Sequence, residues 1–277
     1  MYISMVYFHK IMYYFTYLYI KIISYFNYLI GLNEKNKDIN NVIISLTTIP
    51  SRSPYILDTL NSILNQTQLP RMIYIGIPYA SLREPGLDYR FPKKIYNHKL
   101  IKIVYYENDE GPIMKLLTGL RQLQLLKKDY KIITIDDDMI YDKHLIKNLL
   151  REYNKNENNV YCSIGRNAFG EKLFNTSNLL RTVEGYGGVI YNSSFFNLAE
   201  LLLHDEIPYY IKTNDDLFIS AYLRRKNIKI YGIKNNIDQP LSRYLNTRKS
   251  NPLWIINEKK NFLKAATYLN IFIPKQI

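Results

Sequence analysis

Between residues 41 and 150 the chain alternates two hydrophobic periods, and that alternation restricts the fold more than any other feature. Val42 to Thr48 is a short β-rich run, apolar enough for a strand buried on both faces of a parallel sheet. Ser53-Pro54 then opens a helix with Ile56, Leu57, Leu60, Ile63 and Leu64 at helical spacing. Met72 to Ile77 and Leu100 to Tyr106 are two more apolar runs. Gly111-Pro112 starts a second helix, with Ile113, Leu116, Leu117, Leu120 and Leu123 on one side. Tyr130 to Ile135 predicts a fourth strand running straight into Asp136, and Asp142 is placed to cap a helix carrying Leu145, Ile146, Leu149 and Leu150. Interleaved strands and helices predict an α/β fold with a mixed, mainly parallel sheet flanked by helices. In such sheets ligands bind beyond the carboxyl ends of strands. Thr47, Thr48 and Ser51 gather at one of those ends and three aspartates at another.

The second half is less regular. Strands are expected at Val160 to Ile164, Gly188 to Tyr191 and Ile228 to Ile233, and helices at Ser193 to Leu203 and Asp215 to Arg225. The expected organisation is a catalytic domain over 42–240 and a basic tail over 241–277, ending in a helix from Glu258 to Leu269. Residues 1–31 stand apart: they are almost continuously apolar or aromatic, interrupted by Lys10 and Lys21. Ile11 to Gly31 is long enough to span a bilayer as a helix. A charge near its middle and many tyrosines suit the lipid–water interface as well. The segment reads as a membrane-associating helix, lying on the surface or acting as an uncleaved anchor. A polar linker, 32–41, joins it to the domain. The expected location is therefore a membrane surface, by peripheral or single-pass attachment, with the side of the membrane left open.

A 47% hydrophobic content is enough for a sizeable core. The formal net charge of +13 attracts nucleotides, nucleic acids or anionic membranes without choosing among them. Cys162 is the single cysteine, so no intrachain disulfide and no cysteine-based zinc site can form.

The strongest local signal is Ile132-Ile133-Thr134-Ile135-Asp136-Asp137-Asp138. Adjacent carboxylates at a strand end repel one another unless solvent or a cation offsets them. Their hard oxygens suit Mg²⁺ or Mn²⁺, which commonly bridge one or two carboxylates to substrate phosphates. Alternation along an extended segment would put Asp136 and Asp138 on one side, with one reaching the metal and the other the nucleotide. The competing reading is a solvated acidic turn that caps a helix.

With these residues in order, the chain resembles the GT-A (Rossmann-like) fold of glycosyltransferases and is similar to family 2 and related viral or bacterial members. Asp136-Asp137-Asp138 matches their strand-terminal D-x-D. Val42 to Arg52 resembles the strand that begins their nucleotide pocket, Leu57 to Gln66 their following helix, and Asp109 to Leu116 their D-x-G-P-x-x-K-L element. The resemblance implies a metal-assisted, inverting transfer of a sugar from a nucleotide-diphosphate-sugar donor to a hydroxyl of a glycan, lipid or protein. Donor contacts would come from Thr47, Asp109, Lys115, Asp136 and Asp137, and metal ligands from Asp138 and Asp136, for Mn²⁺ or Mg²⁺. Lys115 would add a charge to the pyrophosphate, while Arg52 reads as a surface residue at a helix start. Thr213-Asn214-Asp215-Asp216 resembles the acidic pair that opens a helix in inverting members, with Asp216 as base and Asp215 orienting the acceptor. Gly185 to Tyr191 resembles their glycine-rich strand entry, with Tyr186, Gly187 and Gly188 on the acceptor and Glu184 beside them. Many members supply a late histidine as a metal ligand, and here no histidine follows His204. Arg243, Arg248 or Lys249 would then assist the leaving diphosphate.

Two other classes fit part of the pattern. A phosphohydrolase or nucleotidyltransferase would also hold Mg²⁺ on an Asp-x-Asp, although haloacid-type phosphohydrolases place it after the first strand. A basic membrane- or RNA-binding protein would fit the charge. No RNA-binding aromatic motif or zinc-finger spacing is present, so no specific nucleic acid partner is expected.

Overall fold

The computed structural model describes residues 41–126, 130–202, 207–234, 241–242 and 259–271, together with positions 18 and 22. The apolar segment 1–31 and its linker therefore lie outside the described residues, except for Leu18, Ile22 and Asn41. So do His204, Arg243, Arg248 and Lys249. Among the described residues no helix is long and apolar enough to cross a membrane.

The first half follows the two periods closely. Strand β1 is Val42–Thr47, helix α1 Leu57–Leu64, β2 Met72–Pro78, β3 Ile101–Tyr106, helix α2 Met114–Leu126 and β4 Lys131–Thr134. A two-residue strand β5, Met139–Ile140, and helix α3, Leu145–Tyr153, come next. Both Pro-led openings begin as short 3₁₀ turns, Ser53–Tyr55 and Gly111–Ile113. The second half contains β6 (Val160–Cys162), β7 (Ile164–Arg166), β8 (Lys172–Phe174), β9 (Leu179–Leu180), β10 (Thr182–Val183) and β11 (Val189–Asn192). Helix α4 (Asp215–Arg225), β12 (Ile230–Gly232), β13 (Leu241–Ser242) and helix α5 (Lys259–Tyr268) complete it.

The main sheet has the order β3-β2-β1-β4-β11-β6-β12-β9. From β3 to β4 all neighbours are parallel, β11 is antiparallel to both β4 and β6, and β12 is again parallel to β6. This is the mixed, mainly parallel α/β sheet that the sequence pattern predicts. Alternate residues face two separate cores. Ile43, Ile132 and Val189 pack with Leu116, Leu117 and Leu120 of α2 and with Leu217 and Phe218 of α4. Val42, Ile44, Leu46 and Ile133 pack with Leu60 and Ile63 of α1 and with Ile146 and Leu149 of α3.

One expectation changes and one element is new. The helix expected over 193–203 is a 3₁₀ turn at Ser193–Phe195 followed by a short helix at Leu198–Leu202. The side-chain oxygens of Asn192 and Asn197 accept the N–H groups of Ser194 and Ala199 at 3.0 and 2.9 Å, and each asparagine restarts the chain locally. The small sheet β10-β7-β8 was not legible, because its strands are only two or three residues long.

The reversed direction of β11 positions the site. Val189, at its start, pairs with Thr134, at the end of β4. The glycine-rich entry 185–188 therefore emerges at the same sheet edge as Asp136.

Candidate active site

Strand β4 stops at Thr134, and Asp137 and Asp138 sit in the turn leading to β5. Strand alternation accordingly does not continue through the aspartates, and the expected division between them changes. Asp137 and Asp138 share one cation, Arg52, at 2.9 and 3.3 Å. Asp136 turns to another, Lys115, at 2.8 Å.

Asp137 is held on every side. Thr48 Oγ1 donates to its Oδ2 at 2.5 Å, Arg52 to its Oδ1 at 2.9 Å and Thr59 Oγ1 to its carbonyl at 2.8 Å. Its neighbour Asp138 is equally buried, at 8% exposure. The Arg52 side chain is 12% exposed, so the surface reading of this residue gives way to a buried ion pair. Burial opposes its charge, but Asp137 and Asp138 outweigh it and raise its pKa. Of the threonine pair, Thr48 joins the cluster, while the Thr47 hydroxyl donates to the Gly76 carbonyl at 2.7 Å.

Lys115 is the second centre. It lies in the first turn of α2 and is only 5% exposed, which rules out a solvent-facing lysine. Its Nζ is 2.8 Å from Asp136 Oδ1, 3.0 Å from Asp215 Oδ2 and 3.8 Å from Asp216 Oδ1. Burial disfavours the ammonium, yet these three carboxylates prevail and hold its pKa well above the lysine value. The Asp215 and Asp216 that it holds open α4, in its first turn, where carboxylates also meet the positive end of the helix dipole.

Asp216 is oriented by the glycine-rich entry. Gly185 N–H donates to its Oδ2 at 2.8 Å. Its Oδ1 is buried without a hydrogen-bond partner among the described residues, with Lys115 Nζ 3.8 Å away. Burial, together with Asp215 and Asp136, pushes the Asp216 pKa well above the carboxylate range against the pull of Lys115. Burial and Asp136 raise Asp215 in the same direction.

Gly185 is the glycine that this arrangement requires. A Cβ there would lie 2.5 Å from Lys115 Nζ and 2.7 Å from Asp216 Oδ1. Gly187 and Gly188 instead face the core: added Cβ atoms would meet Ile164 and Leu145, and Gly188 has φ +86°. Tyr186 is half-buried, with Lys172 Nζ 3.3 Å from its hydroxyl. Beside it Glu184 takes Arg166 at 2.5 Å and Lys172 at 3.3 Å. Asp109 stays outside the carboxylate cluster; it accepts the N–H groups of Leu82 and Gly111, both at 2.8 Å, and so shapes the turn that opens α2.

Tyr141 is a residue that sequence reasoning missed. Buried at 4% exposure, its hydroxyl accepts from Asp136 N–H at 2.9 Å and donates to the Tyr186 carbonyl at 3.1 Å. It thereby ties the acidic turn to the glycine-rich entry. Nothing near Tyr141 in sequence signals this, because both partners are backbone groups.

Five carboxylates (Asp136, Asp137, Asp138, Asp215 and Asp216) thus surround two cations, Arg52 and Lys115. The donor set is hard oxygen with an excess of negative charge, which suits a hard divalent cation. Among the described residues, however, no group of three or more acidic, histidine or cysteine side chains is disposed to hold a metal by itself.

No protein-family model and no curated protein matches the chain. Solved structures do share its general path. The crystal structure of a 4-diphosphocytidyl-2C-methyl-D-erythritol synthase aligns with a TM-score of 0.47 and 8% identity, over 80% of this chain and 97% of that one. S. aureus TarS aligns with a TM-score of 0.44 and 16% identity, over 72% of this chain and 58% of that one. Similarity of that depth says nothing of chemistry, and the functional reading rests on the residues themselves.

Proposed function

We propose that the chain is a glycosyltransferase that moves a sugar from a nucleotide-diphosphate-sugar donor to an acceptor hydroxyl, with inversion and with the help of Mn²⁺ or Mg²⁺. One observation carries the reading. Asp136 from just beyond β4 and Asp215-Asp216 from the start of α4 converge on the buried Lys115, and Asp216 Oδ1 has no hydrogen-bond partner among the described residues. The order of motifs along the chain supports the same assignment.

In this mechanism the acceptor hydroxyl oxygen attacks the anomeric carbon as the bond from that carbon to the diphosphate breaks. The hydroxyl proton passes to Asp216, and the electron pair leaves with the nucleoside diphosphate. A base working near neutral pH needs a raised pKa and a fixed orientation, and Asp216 has both. Asp215 holds Lys115 in place and orients the acceptor. Lys115 supplies positive charge on the donor side. A bound divalent ion would neutralise the departing diphosphate. Asp136 and Asp138 would hold it, with the remaining ligands drawn from the diphosphate and water, as is usual for Mg²⁺ and Mn²⁺. Thr47, Asp109 and Asp137 frame the donor side in this reading, and Tyr186, Gly187 and Gly188 the acceptor side.

A thermal-shift screen of UDP-, GDP- and dTDP-sugars with and without Mn²⁺ tests the proposal. A ligand that binds only the folded chain raises the unfolding midpoint. The expected result is a shift with one nucleotide class that grows with Mn²⁺ and is accompanied by release of the nucleoside diphosphate. Pyrophosphate release from a nucleoside triphosphate and a sugar phosphate, with no response to any nucleotide sugar, would replace transfer by nucleotidyl chemistry.

A further inference from the structure

At the end of the sheet opposite the aspartates lies a cavity of about 350 Å³, and none of the described residues that line it is a carboxylate. Lys131, Lys147 and Arg151 contribute its charge, and Asn41, Gln68 and Asn154 its amides. Lys147 and Arg151 are one turn apart on α3 and so share a face. Lys131 opens β4 and is paired in register with Val42, the first residue of β1. Asp136 is five positions beyond Lys131, so the cavity is about 16 Å from the carboxylate-bearing edge at strand rise. Neighbouring groups take up part of this charge: Glu157 lies 3.9 Å from Lys131 Nζ and Glu152 3.0 Å from Arg151 Nε, and Arg151 also donates to Asn148 Oδ1 and the Lys234 carbonyl.

The chain itself indicates the occupant. Asn41, in the cavity wall, is where the polar stretch 32–41 meets the sheet, and that stretch follows the apolar, tyrosine-rich residues 11–31. The chain that follows this sequence suited to the lipid interface is thus first described in the domain at Asn41, in the wall of a basic, amide-lined hollow. The net charge of +13 adds attraction toward any anionic surface. We infer that this hollow is a docking site for the phosphate headgroups of an anionic bilayer, which turns the opposite, carboxylate-bearing edge of the sheet away from the membrane. The inference is independent of the sugar-transfer reading, since it uses none of that site's residues.

Partition of the full chain onto phosphatidylcholine vesicles, with and without phosphatidylserine, tests it. The wild-type chain should prefer the anionic vesicles. Replacing Lys131, Lys147 and Arg151 together by Gln should remove most of that preference, at about fivefold per basic group and on the order of a hundredfold for three. Binding to neutral vesicles, driven by residues 1–31, should stay. A control that replaces Lys93, Lys94 and Lys102, exposed elsewhere, removes the same charge and should keep the preference. An equal loss in the control would reduce the effect to net charge and overturn the site. So would an unchanged preference in the triple variant with an unaltered unfolding midpoint. Competition by inorganic phosphate at millimolar levels would overturn it as well, by making the hollow a site for a small soluble anion.

Discussion

Asp216 and Lys115 carry opposite signs of the same energetic problem. Asp216 is a carboxylate pushed toward its neutral form, so its charge costs stability at neutral pH. Its folded pKa lies above the unfolded value. Between the two, the folded chain holds the extra proton, and stability from this group falls as pH rises across that window. Asp216→Asn should therefore raise the melting temperature, by more at about pH 8 than at about pH 5. It should also reduce turnover by on the order of 10²–10⁴ while leaving donor affinity nearly unchanged. Calorimetric melts at both pH values and steady-state rates check the two halves; near-normal turnover would remove Asp216 as the base. Lys115 is the reverse case, because its charge is what makes three neighbouring carboxylates tolerable. Lys115→Met should cost about 3 kcal/mol, the lower part of the range for breaking a buried ion pair, because Asp136 and Asp216 remain partly exposed. Urea unfolding measures it, and a change below about 0.5 kcal/mol would mean that solvent already screens the cluster.

At the scale of elements, the site depends on five junctions: the exit from β1, the β4–β5 turn, the start of α2, the start of α4 and the glycine-rich entry to β11. The last is the narrowest. Gly185→Ala places a methyl group against Lys115 Nζ and Asp216 Oδ1, each at the far end of a side chain. Overpacking of this kind costs about 1–3 kcal/mol where the neighbours cannot move. Here they can, by giving up their own geometry. The variant should thus stay folded, with a midpoint close to wild type, and lose at least about tenfold in turnover, because in the proposed mechanism the Gly185 N–H to Asp216 bond sets the direction of the base. A variant with both stability and rate intact would show that this bond orients nothing.

For the whole molecule, the balance of charges at the site bears on the proposed role of a metal. Two cations already occupy part of the carboxylate cluster, and the described residues offer no three-ligand metal cluster. Mn²⁺ should accordingly bind weakly to the chain alone and at least about tenfold more tightly with the nucleoside diphosphate present, because the diphosphate completes its shell. Isothermal titration with and without nucleotide measures the ratio. Asp138→Ala should abolish the enhancement, and an unchanged enhancement would remove Asp138 from the metal. The sheet also separates this chemistry from the basic hollow at its other end, so the two can be tested one at a time.

The first half of the fold was legible because its strands and helices are long enough to show a period. Val42–Thr47, Met72–Pro78, Ile101–Tyr106 and Met114–Leu126 all lie close to where their apolar residues predict. The acidic residues were legible too, because carboxylates cluster at a sheet edge only where something offsets them. What the sequence by itself determined is therefore the layering and the gathering of carboxylates at one sheet edge. Only the tertiary structure decided the partners: that β4 ends before the aspartates, that Arg52 is buried with two of them, that Thr48 rather than Thr47 reaches Asp137, and that Tyr141 and Gly185 hold the edges together. The reason is physical. Periodicity reports which face of an element is buried. Which cation meets which carboxylate depends on contacts between residues 21 to 101 positions apart, where local pattern carries no signal.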